Sequence, residues 1–524
     1  MSTAPLRMAK ESSHRPVAVV DIGATSIRMA IAQINDRSEV QPLENLSQAV
    51  TLGKDTFTKG FITKSSIEES VRILRSYNRL MREYGITHPD QVRVVATSAV
   101  REASNRLAFL DRVYVATGLE VEPLDEAEVN RITYMGIQPQ LQADPRLASS
   151  PVIIAEFGGG STEILVVHAG DVLFSYTYRL GSVRLLEMME LVDAAPGKHR
   201  LILENQIQRQ IVQIREDIDM DFPLQLVAIG GDIRFAADHL IPDRDQNDLV
   251  YLPVAQLSDL TRRISNLSED EIAQHFGMSY HDAEAVVPAL MCYLLLAKGF
   301  DQTEVAVSDT NLRDGLLQNL AMVDSWSEDY RRQAIRSASS LGQLYDVDEK
   351  HARHVAELSA KIFTDLQDEH QLEPRMKLVL YLAAMLYDVG SYISPRSAHK
   401  HSMYIIRHSE LFGLSRKDVL LISLVARYHR RSSPQPQHEG YATLDRRGRV
   451  AVAKLAAILR LAIALDDSRS QRINEIRCRI LNKRMIIQAV GVEDVALEQL
   501  AFREMSSLFE EIFGMPCQLR SGKA

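Results

Sequence analysis

Tryptophan occurs once and cysteine three times in 524 residues, and no uncharged run is longer than residues 285–297, which contain Pro288. A stretch of that length is too short to span a bilayer, so no membrane partner is expected. Cys292, Cys478 and Cys517 are scattered and odd in number, which gives neither a disulfide framework nor a metal-ligand spacing. Residues 1–15 lack the apolar stretch of a secretory signal and read as a flexible N-terminus, so a reducing, cytoplasmic setting is expected. Excess positive charge is missing too. With 60 Lys+Arg against 69 Asp+Glu the net charge is −9, which argues against DNA as a partner, since domains that bind nucleic acid are normally basic.

What remains is a chain of ordinary globular composition, 46% hydrophobic and 25% charged, long enough for several cores. Val17 to Val20 read as a strand, Gly23 punctuates, and residues 27–34 resume as a second strand. A helix over 66–84, a strand over 92–96, a helix near 105–117 and another starting near Asp125 complete an α/β lobe over 16–147. The pattern restarts with a strand at Val152 to Ala155, a turn at Gly158-Gly159-Gly160 and a returning strand at Glu163 to Val167. Helices near 204–218, a strand at 226–229 ending at Gly230-Gly231 and a strand at 304–307 extend this second lobe over 148–325. Helical periodicity then dominates 326–473, with helices predicted over 351–366, 376–387, 402–410, 416–428 and 449–465. The tail, 474–524, reads as a small α+β unit.

The two openings, Asp21-Ile22-Gly23-Ala24-Thr25-Ser26 and Glu156-Phe157-Gly158-Gly159-Gly160-Ser161-Thr162, share an acid, an apolar residue, glycine and a hydroxyl in one order, which reads as an internal duplication. Glycines in a tight hairpin let backbone N–H groups converge, and such a nest binds phosphate oxygens. Ser26, Ser161 and Thr162 can add hydroxyl donors. Asp21 and Glu156 would repel phosphate unless a divalent cation, usually Mg²⁺, lies between them. Both turns lead into a strand, whereas Rossmann and P-loop turns lead into a helix. That leaves an actin-like (ASKHA) two-lobed α/β fold with a phosphate chain clamped between the lobes; the alternative is a pair of ordinary hairpin turns.

Further strings follow in order: Ala96 to Asn105 with Phe109, Arg131 to Gly136, Phe157 to Glu163, Gly181-Ser182-Val183, Gly230 to Arg234, Ser308-Asp309 with Leu312 to Gly315, and Arg427 to Arg431. With these residues the sequence resembles the exopolyphosphatase/guanosine pentaphosphate phosphohydrolase (Ppx/GppA) family. The resemblance implies two actin-like lobes, an all-α HD-like domain and a small α+β C-terminal domain. It implies hydrolysis of a terminal phosphoanhydride in polyphosphate or a guanosine nucleotide, with Mg²⁺, and long members of the family tend to form homodimers. Asp21 and Glu156 would serve the metal or the attacking water. Gly23, Thr25, Ser26, Arg101, Gly158 to Thr162, Gly230 and Gly231 would bind phosphate, although Arg101 could equally be a structural ion pair.

The chain departs from the family pattern at several of these places. Aligned on Arg131 and Gly136, the family's catalytic glutamate falls on Val129, which cannot move a proton. Glu128 and Glu126 are the candidate substitutes, with Glu128 also explained as the third residue of a helix-capping motif begun by Asp125. This departure supports a rival reading, a catalytically impaired regulatory protein that binds polyphosphate or nucleotide. A sugar kinase or chaperone ATPase on the same fold matches the Arg101 and Arg313 segments less well. In the helical part the HD metal candidates are His351, Asp388, His401, His429 and Asp466, but Tyr387 replaces the histidine of the His-Asp pair, a poor ligand. Between residues 381 and 450 stand 11 Lys/Arg and 5 Asp/Glu. Lys400, His401, Arg427, His429, Arg430 and Arg431 are therefore expected to guide a polyanion, the alternative being helix packing and solvation.

Overall fold

The computed structural model describes residues 15–190, 196–218, 220, 223–244, 248–321, 328–409, 411–430 and 432–522. Residues 1–14 of the expected flexible N-terminus lie outside them, whereas Arg15 already belongs to the first strand. The chain divides into two compact units, Met1–Ser325 and Trp326–Ala524.

In the first unit, β1 (Arg15–Ile22) is buried over its last six positions, because helices cover both faces of its sheet. It pairs antiparallel with β2 (Ser26–Ile34), which pairs antiparallel with β3 (Val40–Ala49). On the other side β4 (Val92–Ala96) and β5 (Val121–Pro123) add in parallel, giving the order β3-β2-β1-β4-β5. The second sheet repeats the scheme. There β6 (Val152–Phe157), β7 (Thr162–His168) and β8 (Asp171–Tyr178) are antiparallel neighbours, β9 (Gln225–Ile229) and β11 (Glu304–Ser308) add in parallel, and β10 (Val250–Pro253) closes the edge.

Two helices position the site against the first sheet. Glu126–Ala143 contributes Val129 and Ile132, and Leu312–Ala321 contributes Leu312 and Leu316, to a core that includes Val17 and Val19 of β1. The second helix, grouped by sequence order with the second lobe, thus packs on the first sheet. The helices meet backbone to backbone: a Cβ on Gly315 would lie 2.0 Å from the Ile132 carbonyl oxygen. Gly315→Ala is therefore expected to destabilise the protein by about 1–3 kcal/mol or more, read as a lowered midpoint in thermal unfolding.

The second unit is mostly helical. Glu349–Asp365, Met376–Leu386, Ala398–His408, Arg416–Arg427 and Arg446–Leu465, the last buried over most of its length from Ala451 onward, are followed by β12 (Ile476–Leu481), β13 (Arg484–Val490) and β14 (Cys517–Gly522), which form a three-stranded sheet. Helices and sheet share one core, in which Val355, Leu382 and Ile458 join Ile487, Phe502 and Leu519. Among the described residues no helix is long and apolar enough to cross a membrane.

Candidate active site

The duplicated loops have the same internal bond. Gly23 N–H donates to the Ser26 carbonyl at 2.9 Å, and Gly158 N–H donates to the Ser161 carbonyl at 2.9 Å. In the second loop the carbonyls of Gly158 and Gly159 accept from the N–H groups of Ser182 and Arg184 at 3.0 and 3.1 Å, while Arg184 Nε donates to the Gly160 carbonyl at 3.0 Å. Among the described residues, the N–H groups of Ala24, Thr25, Gly159, Gly160 and Ser161 donate to no protein acceptor, so five backbone donors remain available to an anion. A third turn, Gly230-Gly231, opens the helix Gly231–Leu240, whose N-terminus also favours negative charge. Gly230 sits at φ +133°, and a Cβ there would lie 2.6 Å from the Tyr293 hydroxyl. That hydroxyl donates to the Ile229 carbonyl and accepts from Phe157 N–H, pinning the ends of β9 and β6 together.

All three turns line one cavity of about 350 Å³, together with Asp21, Arg28, Ser98, Val129, Glu156, Glu163, Ser182, Asp232 and Asp282. Its carboxylates are crowded. Burial raises Asp21 above the ordinary carboxylate range against the pull of Arg28 and Arg313, and Arg313 Nη1 stands 4.0 Å from Asp21 Oδ2. Burial also raises Glu156, with Arg234 opposing and Asp21 reinforcing the shift; Thr133 Oγ1 donates to it at 3.4 Å. Glu163 is pushed up to about 7, first by burial and then by the charge of Glu156, and accepts from Ser161 Oγ at 2.7 Å. Asp232 is pushed up to about 6 by burial and by Asp282.

Arg28 is the one Lys or Arg among the described residues that line this cavity. Removing it as Arg28→Ala is expected to weaken tripolyphosphate binding by about 1.5–3 kcal/mol, the usual worth of a hydrogen bond to a charged group, measurable by titration calorimetry.

Whether a divalent cation fits can be judged from Asp21, whose buried Oδ1 has no hydrogen-bond partner. Among the described residues no three ligating side chains cluster closely enough to hold a metal alone. Mg²⁺ commonly takes one or two carboxylates and completes its shell with water and substrate phosphate. Asp21 and Glu156 both line the cavity and could supply the two carboxylates of that shared arrangement.

Residues 30–323 match the model of the Ppx/GppA phosphatase family, and residues 333–504 that of Ppx/GppA phosphatase domain III. The chain belongs to the Ppx/GppA phosphatase family. It is 21% identical over 461 residues, 86% of this chain and 87% of the relative, to the guanosine-5'-triphosphate,3'-diphosphate pyrophosphatase of Photobacterium profundum. An exopolyphosphatase of Cytophaga hutchinsonii, 23% identical, superposes with a TM-score of 0.53 over 59% of this chain and 98% of its own, which supports the actin-like fold of the lobes. A Ppx/GppA family member of Aquifex aeolicus is 23% identical over 59% of this chain and 97% of its own, with a TM-score of 0.48.

Within this family site several expected residues stand elsewhere. Glu128 is not a base in the cavity: Arg131 Nη2 donates to it at 2.7 Å and Arg93 Nη2 at 3.3 Å. Those arginines outweigh burial and hold its carboxyl low. One helical step, about 100°, separates it from Val129, which does line the cavity. Arg101 is not a lining residue either; it donates to the Leu124 carbonyl at 2.9 Å and stands 3.7 Å from Glu126, so the ion-pair reading describes it. Thr162 Oγ1 is spent on the Leu180 carbonyl at 2.6 Å, and the residue is fully buried. Sequence reasoning assigned no role to Arg28 and Glu163. The available signal was period two: Arg28 is the cross-strand partner of Asp21, and Glu163 that of Glu156.

In the second unit, His351 Nδ1 lies 2.7 Å from Asp466 Oδ2 and its Nε2 lies 2.6 Å from the Tyr387 hydroxyl. Tyr387 therefore occupies the imidazole that a metal would need. His429 is corrected from a polyanion-guiding residue to a core one: it is 4% exposed, its Nδ1 meets the Ala426 carbonyl at 2.6 Å, and burial lowers it to about 4. Lys400, His401, Arg427 and Arg430 do gather, since all four lower His399 after burial has done so. Arg431 lies outside the described residues.

Proposed function

We propose that this chain hydrolyses the terminal phosphoanhydride of guanosine pentaphosphate or inorganic polyphosphate in the cavity between its two matched loops, with Mg²⁺. The observation that carries the reading is the convergence of two identically closed turns, with unused N–H donors, on a cavity that also holds Asp21 and Glu156. Phosphoryl transfer needs little covalent help from protein; it needs positioning and charge stabilisation. The N–H groups of Thr25 and Gly160 and the Arg28 guanidinium would hold the terminal phosphate. Asp21 and Glu156 would hold the cation, which when bound neutralises phosphate oxygens. Val129 cannot accept a proton, and Glu163, also on the cavity wall, is the carboxylate whose raised affinity for protons suits a general base. The test is phosphate release from guanosine pentaphosphate and polyphosphate with Mg²⁺. Release well above that of Glu156→Ala is expected, and release no greater than that variant's would overturn the reading.

One observation favours a second reading. Val129, at the family's glutamate position, faces the cavity, as a chain that binds phosphate compounds without turning them over would require. Val129→Glu separates the two: with Glu163 as base the variant gains less than about tenfold, whereas a gain of about 10²-fold or more, the scale of general-base catalysis, supports the binding protein.

A further inference from the structure

The carbonyls of the second loop are held from behind, and one of the holders is a side chain. Ser182 and Arg184 hold the Gly158 and Gly159 carbonyls with their own N–H groups, but the Gly160 carbonyl is held at 3.0 Å by Arg184 Nε. In the first loop the backbone alone does this work: the N–H groups of Gly53 and Val50 donate to the Ala24 and Thr25 carbonyls, each at 2.8 Å. In a planar trans peptide the carbonyl of one residue and the N–H of the next point in opposite directions. Fixing the Gly160 carbonyl therefore fixes the Ser161 N–H, an unused donor of a cavity-lining residue, on the opposite side.

Arg184 is itself held from the first lobe. Its Nη2 donates to both oxygens of Glu102, at 2.9 and 3.1 Å, at the end of the short helix Ser98–Glu102. Its guanidinium carbon lies 4.2 Å from the centre of the Phe57 ring in the helix Leu52–Lys59. The Phe57 ring and Ser98 Oγ also fill the space that a Cβ on Gly160 would need. Neither Arg184 nor Glu102 lines the cavity. A carboxylate on a guanidinium fixes the plane of the fork, so the Nε that faces the loop is fixed with it. We infer that Arg184 is a positioning residue of the phosphate site, aiming the Ser161 N–H at the bound anion, and that Glu102 of the first lobe governs it by holding the guanidinium in place. The second loop then presents all its donors only while Glu102 reaches Arg184. The inference rests on the phosphate-binding reading of the cavity but not on turnover.

Titration calorimetry of the full chain with inorganic tripolyphosphate and Mg²⁺ tests it. Lysine keeps the charge of Arg184 but cannot serve the Gly160 carbonyl and Glu102 together, so Arg184→Lys is expected to weaken tripolyphosphate by about tenfold or more. Glu102→Gln, which trades a charge-assisted bond for a neutral one, is expected to weaken it by about threefold or more. Because Glu102 acts through Arg184, the double variant is expected to bind as Arg184→Lys does. Arg179 is the control: it donates to the same carboxylate at 2.6 Å, its side chain is 75% exposed, and Arg179→Gln is expected to leave binding unchanged. Titration of Mg²⁺ alone separates positioning from general loosening, since neither variant touches Asp21 or Glu156 and the Mg²⁺ affinity is expected to stay at the wild-type value. Wild-type tripolyphosphate affinity in Arg184→Lys, additive losses in the double variant, a loss in Arg179→Gln equal to that in Glu102→Gln, or a parallel loss of Mg²⁺ affinity would each overturn the inference. Wild-type protein that binds no tripolyphosphate would instead overturn the phosphate-binding reading on which it rests.

Discussion

Glu163→Gln is expected to lower phosphate release by a factor of about 10²–10⁴, the usual worth of a general base, with little change in substrate affinity. Glutamine keeps the size of the side chain and an acceptor for Ser161 Oγ, which donates to Glu163 at 2.7 Å in the wild type. It removes only the group able to take a proton from water. The wild-type pH profile carries the same signature. Burial and the charge of Glu156 hold Glu163 up to about 7, and a base works only when deprotonated. Activity should therefore fall as pH drops below about 7, and a cation held by Glu156 cancels part of the repulsion, so the acid limb should move lower as Mg²⁺ is raised. Glu163→Gln should flatten this limb. Steady-state kinetics across pH on both proteins would show it; wild-type rates retained in the variant would remove Glu163 from the chemistry.

Gly181→Ala is expected to cost about 10² in turnover, the penalty for misplacing a reacting group by roughly 1 Å, although residue 181 does not line the cavity. A Cβ there would lie 2.5 Å from the carbonyl carbon and oxygen of Gly159 and 2.6 Å from the carbonyl carbon of Gly160. These are backbone atoms of the loop itself, so the contact cannot be relieved by a side-chain rotation. The loop must shift or the 181–184 segment must let go of the carbonyls it holds through Ser182 and Arg184. Tripolyphosphate affinity should fall with turnover, and calorimetry on the variant beside circular dichroism for folding would separate this from global unfolding.

The parts of this fold that follow from short-range pattern were legible in the sequence, and so were the two matched glycine turns. Buried runs such as Val17 to Val20 and Val152 to Ala155 announce central strands, and the glycines after them announce turns. Edge strands such as β3, β10 and the three-residue β5 escaped because edges carry no such run. β3 is mostly exposed and contains Pro42, and β10 has only four residues, both common among edge strands. Side-chain direction was the other gap. Glu128 and Val129 are neighbours in sequence, yet on a helix only Val129 reaches the cavity while Glu128 turns to Arg93 and Arg131. On β7, Thr162 and Glu163 point to opposite faces, so the hydroxyl expected to bind phosphate is buried and the acid beside it lines the site. His429 misled in the same way: a histidine beside arginines reads as part of a basic surface, but its ring packs 4.9 Å from that of Tyr387 inside the helical unit.

A structure determined with Mg²⁺ and vanadate, a mimic of the phosphoryl group in flight, tests the account most directly. Vanadate is expected between the two matched loops, accepting hydrogen bonds from the N–H groups of Thr25 and Gly160 and from Arg28, with Asp21 and Glu156 on the cation and a water between vanadium and Glu163. Vanadate bound away from both loops, or a cavity that excludes it at saturating concentration, would contradict the account.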